Sequence, residues 1–254
     1  MSAMTKRMRD RKAMPMAMAA AGAQSGPRAG HGAAGPAPRT GARKGSGLGA
    51  RALIAALVFA LAGCGILPKK EAIALYAPEA RIQPDPAWPT VDWQLQVPRP
   101  HAAELLDSPR IVVRPVPGEL QVYKGAVWTQ PAPDLLQDTL LRAFEDSGRI
   151  TGVARHGSGI TGDYDLLLDL RRFDSDYAPG SPAAVVEVGA KLVSARSNQV
   201  VASRAFRATA PASATGVGAV SRAFEQALGT LATELVGWTL VEGQRHQTAG
   251  PTTP

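Results

Sequence analysis

A single cysteine, Cys64, stands in a chain of 254 residues. No internal disulfide can form, so any folded part must rest on its core. Histidine is scarce too. Of the four, His31 falls in the basic N-terminal stretch and His246 near the C-terminus, which leaves His101 and His156, each in a proline- or glycine-rich segment. A hydrolytic triad needs a nucleophile, a base and an orienting acid at hydrogen-bond distance, and no Gly-x-Ser-x-Gly marks a serine here. Both histidines are expected to be solvated loop residues. One cysteine and scattered histidines offer no zinc pattern, and no Gly-x-x-x-x-Gly-Lys phosphate loop occurs. No apolar run reaches the roughly 18 residues a membrane-spanning helix needs. The residues themselves therefore nominate no catalytic, metal or cofactor-binding position.

Acids are concentrated in one place. Asp163, Asp165, Asp169, Asp174 and Asp176 surround Arg171-Arg172. A calcium loop needs acids on one turn with a glycine and a final glutamate. Acids that alternate along a strand point instead to a polar sheet face with acid–arginine pairs.

The formal charge of +7 invites a nucleic-acid reading. Its distribution argues against one. Ten of the 28 basic residues, against one acid (Asp10), lie before Cys64, leaving 18 basic and 20 acidic residues from Cys64 onward. The basic charge belongs to the leader, where it sets orientation at a membrane.

What the chain does have is an export signal. Ala52 to Ala62 is apolar, short, preceded by Arg51, and runs into Leu61-Ala62-Gly63-Cys64. The length fits a signal-peptide core and falls short of a span. Small residues before a cysteine form a lipobox, whose thiol takes a diacylglyceryl group and whose amino group, once freed by cleavage, takes a further acyl chain. Each buried CH₂ adds about 0.8 kcal/mol, so several chains anchor firmly. Cys64 is the lipid-attachment residue, and this covalent lipid is the only non-protein group expected. Gly65 after the cysteine favours the outer membrane over inner-membrane retention.

The expected organisation is then as follows. Residues 1–50 are a leader without a fold, or reflect a start codon set too far upstream. Residues 51–63 are the signal core and lipobox, and 64–90, with Pro68, Pro78, Pro84, Pro86 and Pro89, form an extended tether. Residues 91–242 are one domain, and 243–254 a disordered tail. Val91, Trp93, Leu95 and Val97 alternate with polar residues and predict a strand. Arg110–Arg114 is a second. Leu120, Val122 and Tyr123 fall in a loop before a short strand at Ala126–Trp128. Leu136, Leu140 and Phe144, with Pro133 before them and Gly148 after, predict a helix over 133–147. Ile150–Ala154, Tyr164–Leu170 and Ala184–Leu192 read as strands. Ser197-Asn198 turns the last of these into a hairpin partner over Val200–Thr209. Val217, Val220, Phe224, Leu228, Leu231, Leu235 and Trp238 keep one stripe over about six helical turns. The fold class is α+β: an antiparallel-rich sheet with two helices packed on one face, the C-terminal helix long. Tyr123, Trp128 and Trp238 are the aromatic residues from which a partner contact could be built, with burial in the core as the alternative for each.

The layout resembles the ABC-type transport auxiliary lipoproteins, which include paraquat-inducible protein C. The residues that carry the resemblance are the lipobox at Cys64, Leu75-Tyr76, Arg110-Ile-Val-Val-Arg-Pro115, Tyr123 and Val127-Trp128-Thr-Gln-Pro131. They continue with Leu135-Leu136-Gln-Asp-Thr-Leu140-Leu141-Arg-Ala-Phe144, Tyr164-Asp-Leu-Leu-Leu-Asp-Leu170, Gln199-Val-Val-Ala-Ser-Arg204 and the terminal helix to Trp238. The resemblance spans about residues 70–240. It implies a non-enzymatic partner of an ABC transporter that uses an MCE-domain (mammalian cell entry) substrate-binding protein and moves phospholipid or other hydrophobic molecules between membranes. It further implies a site on the periplasmic face of the outer membrane, contact with the ATPase–permease complex through the MCE protein, and a homo-oligomer within the family's range. The competing expectation is a structural or assembly lipoprotein of the envelope with no transporter. A lipoprotein enzyme working through His101 or His156 is the third.

Overall fold

The strand read from Tyr164 to Leu170 runs on to Asp176 in the computed structural model, which describes residues 72–178 and 180–250. The leader, the lipobox and Cys64 lie outside the described residues, as do residues 251–254. In chain order the elements are β1 (Ala74–Tyr76), β2 (Val91–Val97), β3 (His101–Ala102), β4 (Arg110–Arg114), β5 (Gln121–Trp128), α1 (Ala132–Ser147), β6 (Ile150–Arg155), β7 (Tyr164–Asp176), β8 (Ala183–Ser194), β9 (Gln199–Pro211) and α2 (Val217–Ala249).

The nine strands make one sheet organised around β7. Along one edge of β7, strands β2, β3 and β4 follow one another, all parallel to it. Leu95 pairs with Tyr164, His101 with Asp169 and Val112 with Asp174. Along its other edge β8 runs antiparallel for the whole length of the strand, and β9 returns antiparallel on β8. β6 adds to β2 in parallel, β5 to β4 antiparallel, and β1 to β5 in parallel. The sheet is therefore antiparallel-rich, as expected, but mixed rather than purely antiparallel. Its two longest ladders are antiparallel, but most of its pairings are parallel. Side-chain alternation reports burial on one face and is the same for either strand direction, so it cannot carry this information.

Alternation does place the core. Leu166, Leu168 and Leu170 of β7, Ala184, Val186, Val188 and Leu192 of β8, and Phe206 and Ala208 of β9 are buried in one cluster with both helices. α1 begins after Pro131, carries Pro133 in its first turn and ends at Gly148, whose φ of 62° closes the helix by an N–H bond to the Glu145 carbonyl. Its Leu136, Leu140 and Phe144 are fully buried. At 33 residues α2 is about 50 Å long. None of the described helices is long and apolar enough to cross a membrane.

Two parts differ from the sequence reading. The segment after β1 is extended, as its prolines require, but it is not free. It lies along α2, where glycines leave room for it. A methyl built on Gly229 would come 2.6 Å from the Arg81 carbonyl oxygen, and one on Gly237 would come 2.5 Å from the Trp88 indole nitrogen. The Gln83 N–H donates to Thr233 Oγ1 at 3.2 Å. Residues 243–249, expected to be disordered, are the last turns of α2. Gly243 seats the Trp93 ring, and the Tyr164 hydroxyl meets both the Gly243 carbonyl (3.3 Å) and His246 Nδ1 (2.9 Å).

Gly243 gives a direct test of this packing. A methyl there would stand 2.5 Å from Trp93 Cζ2, and that ring is buried and held edge-on against Tyr164 at 5.0 Å. Gly243→Ala is expected to destabilise by about 1–3 kcal/mol through overpacking, despite a helix-propensity gain of up to about 1 kcal/mol. Gly218→Ala, whose nearest foreign atoms are 3.9 Å away, should be neutral or stabilising. Urea midpoints of the two variants should move in opposite directions, or the first alone should fall. Equal stability would mean that the C-terminal turns do not pack on Trp93.

Candidate functional site

The five aspartates do not form one cluster. Alternation breaks at Arg171, where the register of β7 against β8 shifts between Leu170 and Arg172. This bulge separates two groups. Before it, Asp169 pairs with Arg171 at 3.2 Å on the exposed side, and Asp165 lies 3.9 Å from His156 Nδ1. Asp163 joins strands instead: its carboxylate accepts from the Gln94 N–H at 2.9 Å. After the bulge, Arg172 donates to Asp174 (2.6 Å) and Asp176 (2.8 Å), while Arg114 of β4 approaches Asp174 at 3.5 Å. The Asp174 side chain is only 3% exposed. Burial works against the charge of Asp176, but hydrogen bonds from Arg172 and the Ala178 N–H, with Arg114 nearby, hold its carboxyl below the usual range. The Arg172 pairs lie within β7, and the Arg114 approach to Asp174 joins β4 to β7. Among the described residues no three His, Cys, Asp or Glu side chains converge as a metal would require.

His101 is a strand residue rather than a loop residue, since it pairs with the edge of β7, and it remains exposed. His156 is an exposed turn residue whose Nδ1 lies 2.9 Å from Gln96 Oε1. They stand on separate elements and share no partner.

The three nominated aromatics are not brought together. Trp128 is 1% exposed and sits at the centre of the core, edge-on to Phe173 at 5.8 Å and to Phe224 at 5.1 Å. No surface contact can be built on it. Tyr123 is half-buried on the same strand, which also takes up the stretch expected as a loop. Its hydroxyl lies 3.0 Å from that of Tyr177 and 3.4 Å from Ser175 Oγ. Burial pushes the Tyr123 phenol up to about 12, helped by the Tyr177 hydroxyl and opposed by the bond to Ser175. With Val113, Pro115, Val122 and Tyr177 it lines a cleft of about 410 Å³. Trp238 is half-buried, edge-on to Phe206 at 5.5 Å, and borders a separate cleft of about 540 Å³ with Trp88, Arg204 and Val241. Tyr123 and Trp238 thus open on two different surfaces, and both clefts are open grooves of mixed polarity.

Sequence reasoning passed over two ionic clasps. Arg99 bridges Asp134 at 2.6 Å and Asp107, fixing the start of α1 to the turn after β3. Arg155 bridges Gln137 and Asp138, fixing β6 to α1. Their members lie 8 to 35 residues apart, and no local spacing marks them.

Comparison with known proteins adds to this geometry. The family model described as ABC-type transport auxiliary lipoprotein component matches residues 74–236. The crystal structure of protein XCC0632 from Xanthomonas campestris is 55% identical, covers 69% of this chain and 99% of its own, and superposes with a TM-score of 0.66. A second solved structure, 14% identical, reaches 0.53 over 65% of this chain and 97% of that one, and so shares the fold. Protein bll6063 of Bradyrhizobium diazoefficiens is 30% identical over 156 residues, 61% of this chain. The match spans 42% of that relative's length.

Proposed function

This chain belongs to the ABC-type transport auxiliary lipoprotein family, and from that premise we propose that it is a non-enzymatic, lipid-anchored component of an intermembrane lipid transport system. Acylated at Cys64, it works on the periplasmic face of the outer membrane. There it receives the far end of an MCE-domain protein whose ATPase and permease sit in the inner membrane. Its part is to hold and orient, and the transported phospholipid or other hydrophobic molecule passes without covalent change.

The observation that carries this reading is one of order. A signal core and lipobox end at Cys64, and the family match opens only ten residues later, at Ala74. The anchor and the partner-binding domain are thus nearly contiguous. The buried acid–arginine pairs brace β7 and, through Arg114, its neighbour β4, and the exposed histidines stand apart, so the side-chain chemistry serves architecture.

In-cell crosslinking from the intact mature protein tests the reading. An MCE-domain protein is the expected capture, with Cys64→Ser abolishing both lipid labelling and most of that capture. Capture of a β-barrel or its assembly factors in its place would move the protein to envelope assembly. Loss of function on changing His101 or His156, with folding intact, would make it an enzyme.

A further inference from the structure

Nine large apolar side chains stand exposed among the described residues; three of them gather at one end of the sheet, and two more stand on or beside β1. Val116 (50% exposed) and Leu120 (45%) lie in the turn between β4 and β5, and Val122 (38%) opens β5. Ile73 (64%) and Leu75 (68%) mark the start of β1. β1 is parallel to β5, with Ala74 opposite Ala126, so β1 starts beside the second half of β5 and runs the same way. Ile73 therefore lies within about three residues' rise, roughly 10 Å, of the level of Val122.

Upstream in sequence lies Cys64. The ten residues from Cys64 to Ala74 span at most about 33–36 Å when fully extended. The docking of the following segment on α2 takes away the longer reach that a free 64–90 tether would have given. The reach from Cys64 exceeds the roughly 20 Å of strand rise between the level of Ala74 and that of Leu120, so the anchor length allows this end of the sheet to meet the bilayer. We infer that this end rests on lipid: Val116, Leu120 and Val122, with Ile73 the nearer of the two residues of the β1 region, contact the leaflet that holds the acyl groups of Cys64.

The surroundings suit an interface. Tyr123 and Tyr177 line the cleft behind Val122, each with an apolar ring and a polar tip, a combination found where water meets hydrocarbon. Lys124 borders the same cleft. A basic side chain at this level favours anionic headgroups. Glu119, the acid of the turn, accepts a hydrogen bond from Gln121. Exposed apolar side chains at a water-facing tip would have no stabilising partner, whereas a bilayer a few ångströms away supplies one.

The inference rests on acylation of Cys64, and that same acylation makes it testable. With its only cysteine blocked by lipid, the mature protein accepts a nitroxide label at a single introduced thiol. Leu120→Cys, with Val116→Cys as a second site, would be labelled and reconstituted on vesicles of phosphatidylethanolamine and phosphatidylglycerol. Leu167→Cys, on the exposed side of β7, is the reference. On vesicles, labels at 120 and 116 should gain collisions with oxygen and lose collisions with an aqueous nickel chelate several-fold, while the label at 167 is unchanged. If the protein floats with the vesicles but all three labels stay aqueous, the lipid contact is wrong and the anchor stands. If the protein does not float, both fail. If the label at 120 is equally shielded in the non-acylated Cys64→Ser chain without vesicles, a second copy covers this end and the inference is overturned.

Discussion

Trp128→Ala is expected to lower the unfolding free energy by about 3–5 kcal/mol, the largest loss from any single truncation in this domain. The indole lies edge-on to both Phe173 and Phe224, and those two rings stack on each other at 4.6 Å. β5, β7 and α2 therefore meet at one aromatic knot, and removing its central member leaves a cavity that three rigid elements cannot collapse to fill. Against a typical stability of about 5–15 kcal/mol, such a loss brings the domain near its threshold. The experiment also separates two roles for this residue. A docking tryptophan would leave the urea midpoint of the purified mature protein unchanged and abolish partner capture. A core tryptophan lowers the midpoint in the absence of any partner. Tyr123→Phe on the same strand removes only a hydroxyl bonded to Tyr177, and should cost about 1 kcal/mol.

Why Trp128 could be misjudged from sequence is instructive. Gly125 takes a φ of 67° inside β5, which breaks the alternation, so Tyr123 and Trp128 belong to no single period-two pattern. The stretch then reads as a loop carrying Tyr123 and a separate short strand ending at Trp128. Where the period is unbroken, as from Tyr164 to Leu170 or from Leu136 to Phe144, the sequence names both the element and its buried face. The hairpin of β8 and β9 was legible for the same reason, aided by Asn198, which adopts a φ of 55° in the turn.

Long-range features were not legible. Strands β2, β3 and β4 line up parallel to β7 because the chain passes through β5, α1 and β6 before returning. No residue in β2 records that detour. The proline-rich passage announces extension but not its partner, because the notches that receive it are Gly229 and Gly237, about 150 residues away. The end of α2 looks frayed because Gln244, Arg245 and Gln247 carry no apolar stripe, yet Gly243 and His246 face Trp93 and Tyr164. Tertiary contact continues the helix where local pattern stops. The exposed apolar end of the sheet was hidden in the same way. Leu120 and Val122 were visible as loop residues, but their level relative to Ile73 depends on the parallel register of β1 and β5.

Arg172→Met is expected to cost about 3 kcal/mol at neutral pH. Removing one partner of a buried pair leaves the other charge uncompensated, typically at about 3–5 kcal/mol, and the low end applies because Arg114 stays 3.5 Å from Asp174. Asp174 and Asp176 lose their arginine at once, all three being residues of β7, while the Arg114 approach to Asp174 still joins β4 to β7. The pH dependence follows from Asp176. Its carboxyl is depressed in the folded protein, so the stability it contributes is fully present above the ordinary carboxylate value of about 3.9 and is lost as pH falls through the lower folded value. In the variant the arginine that sustains this depression is gone, and protonation no longer removes its contribution. Wild type and variant should therefore differ most near pH 7 and begin to draw together only below about pH 4. Thermal unfolding across pH 3–7 measures both curves. A gap that stays constant down to pH 3 would mean that Arg172 contributes packing rather than charge, and that its paired aspartates are held in place by the strands alone.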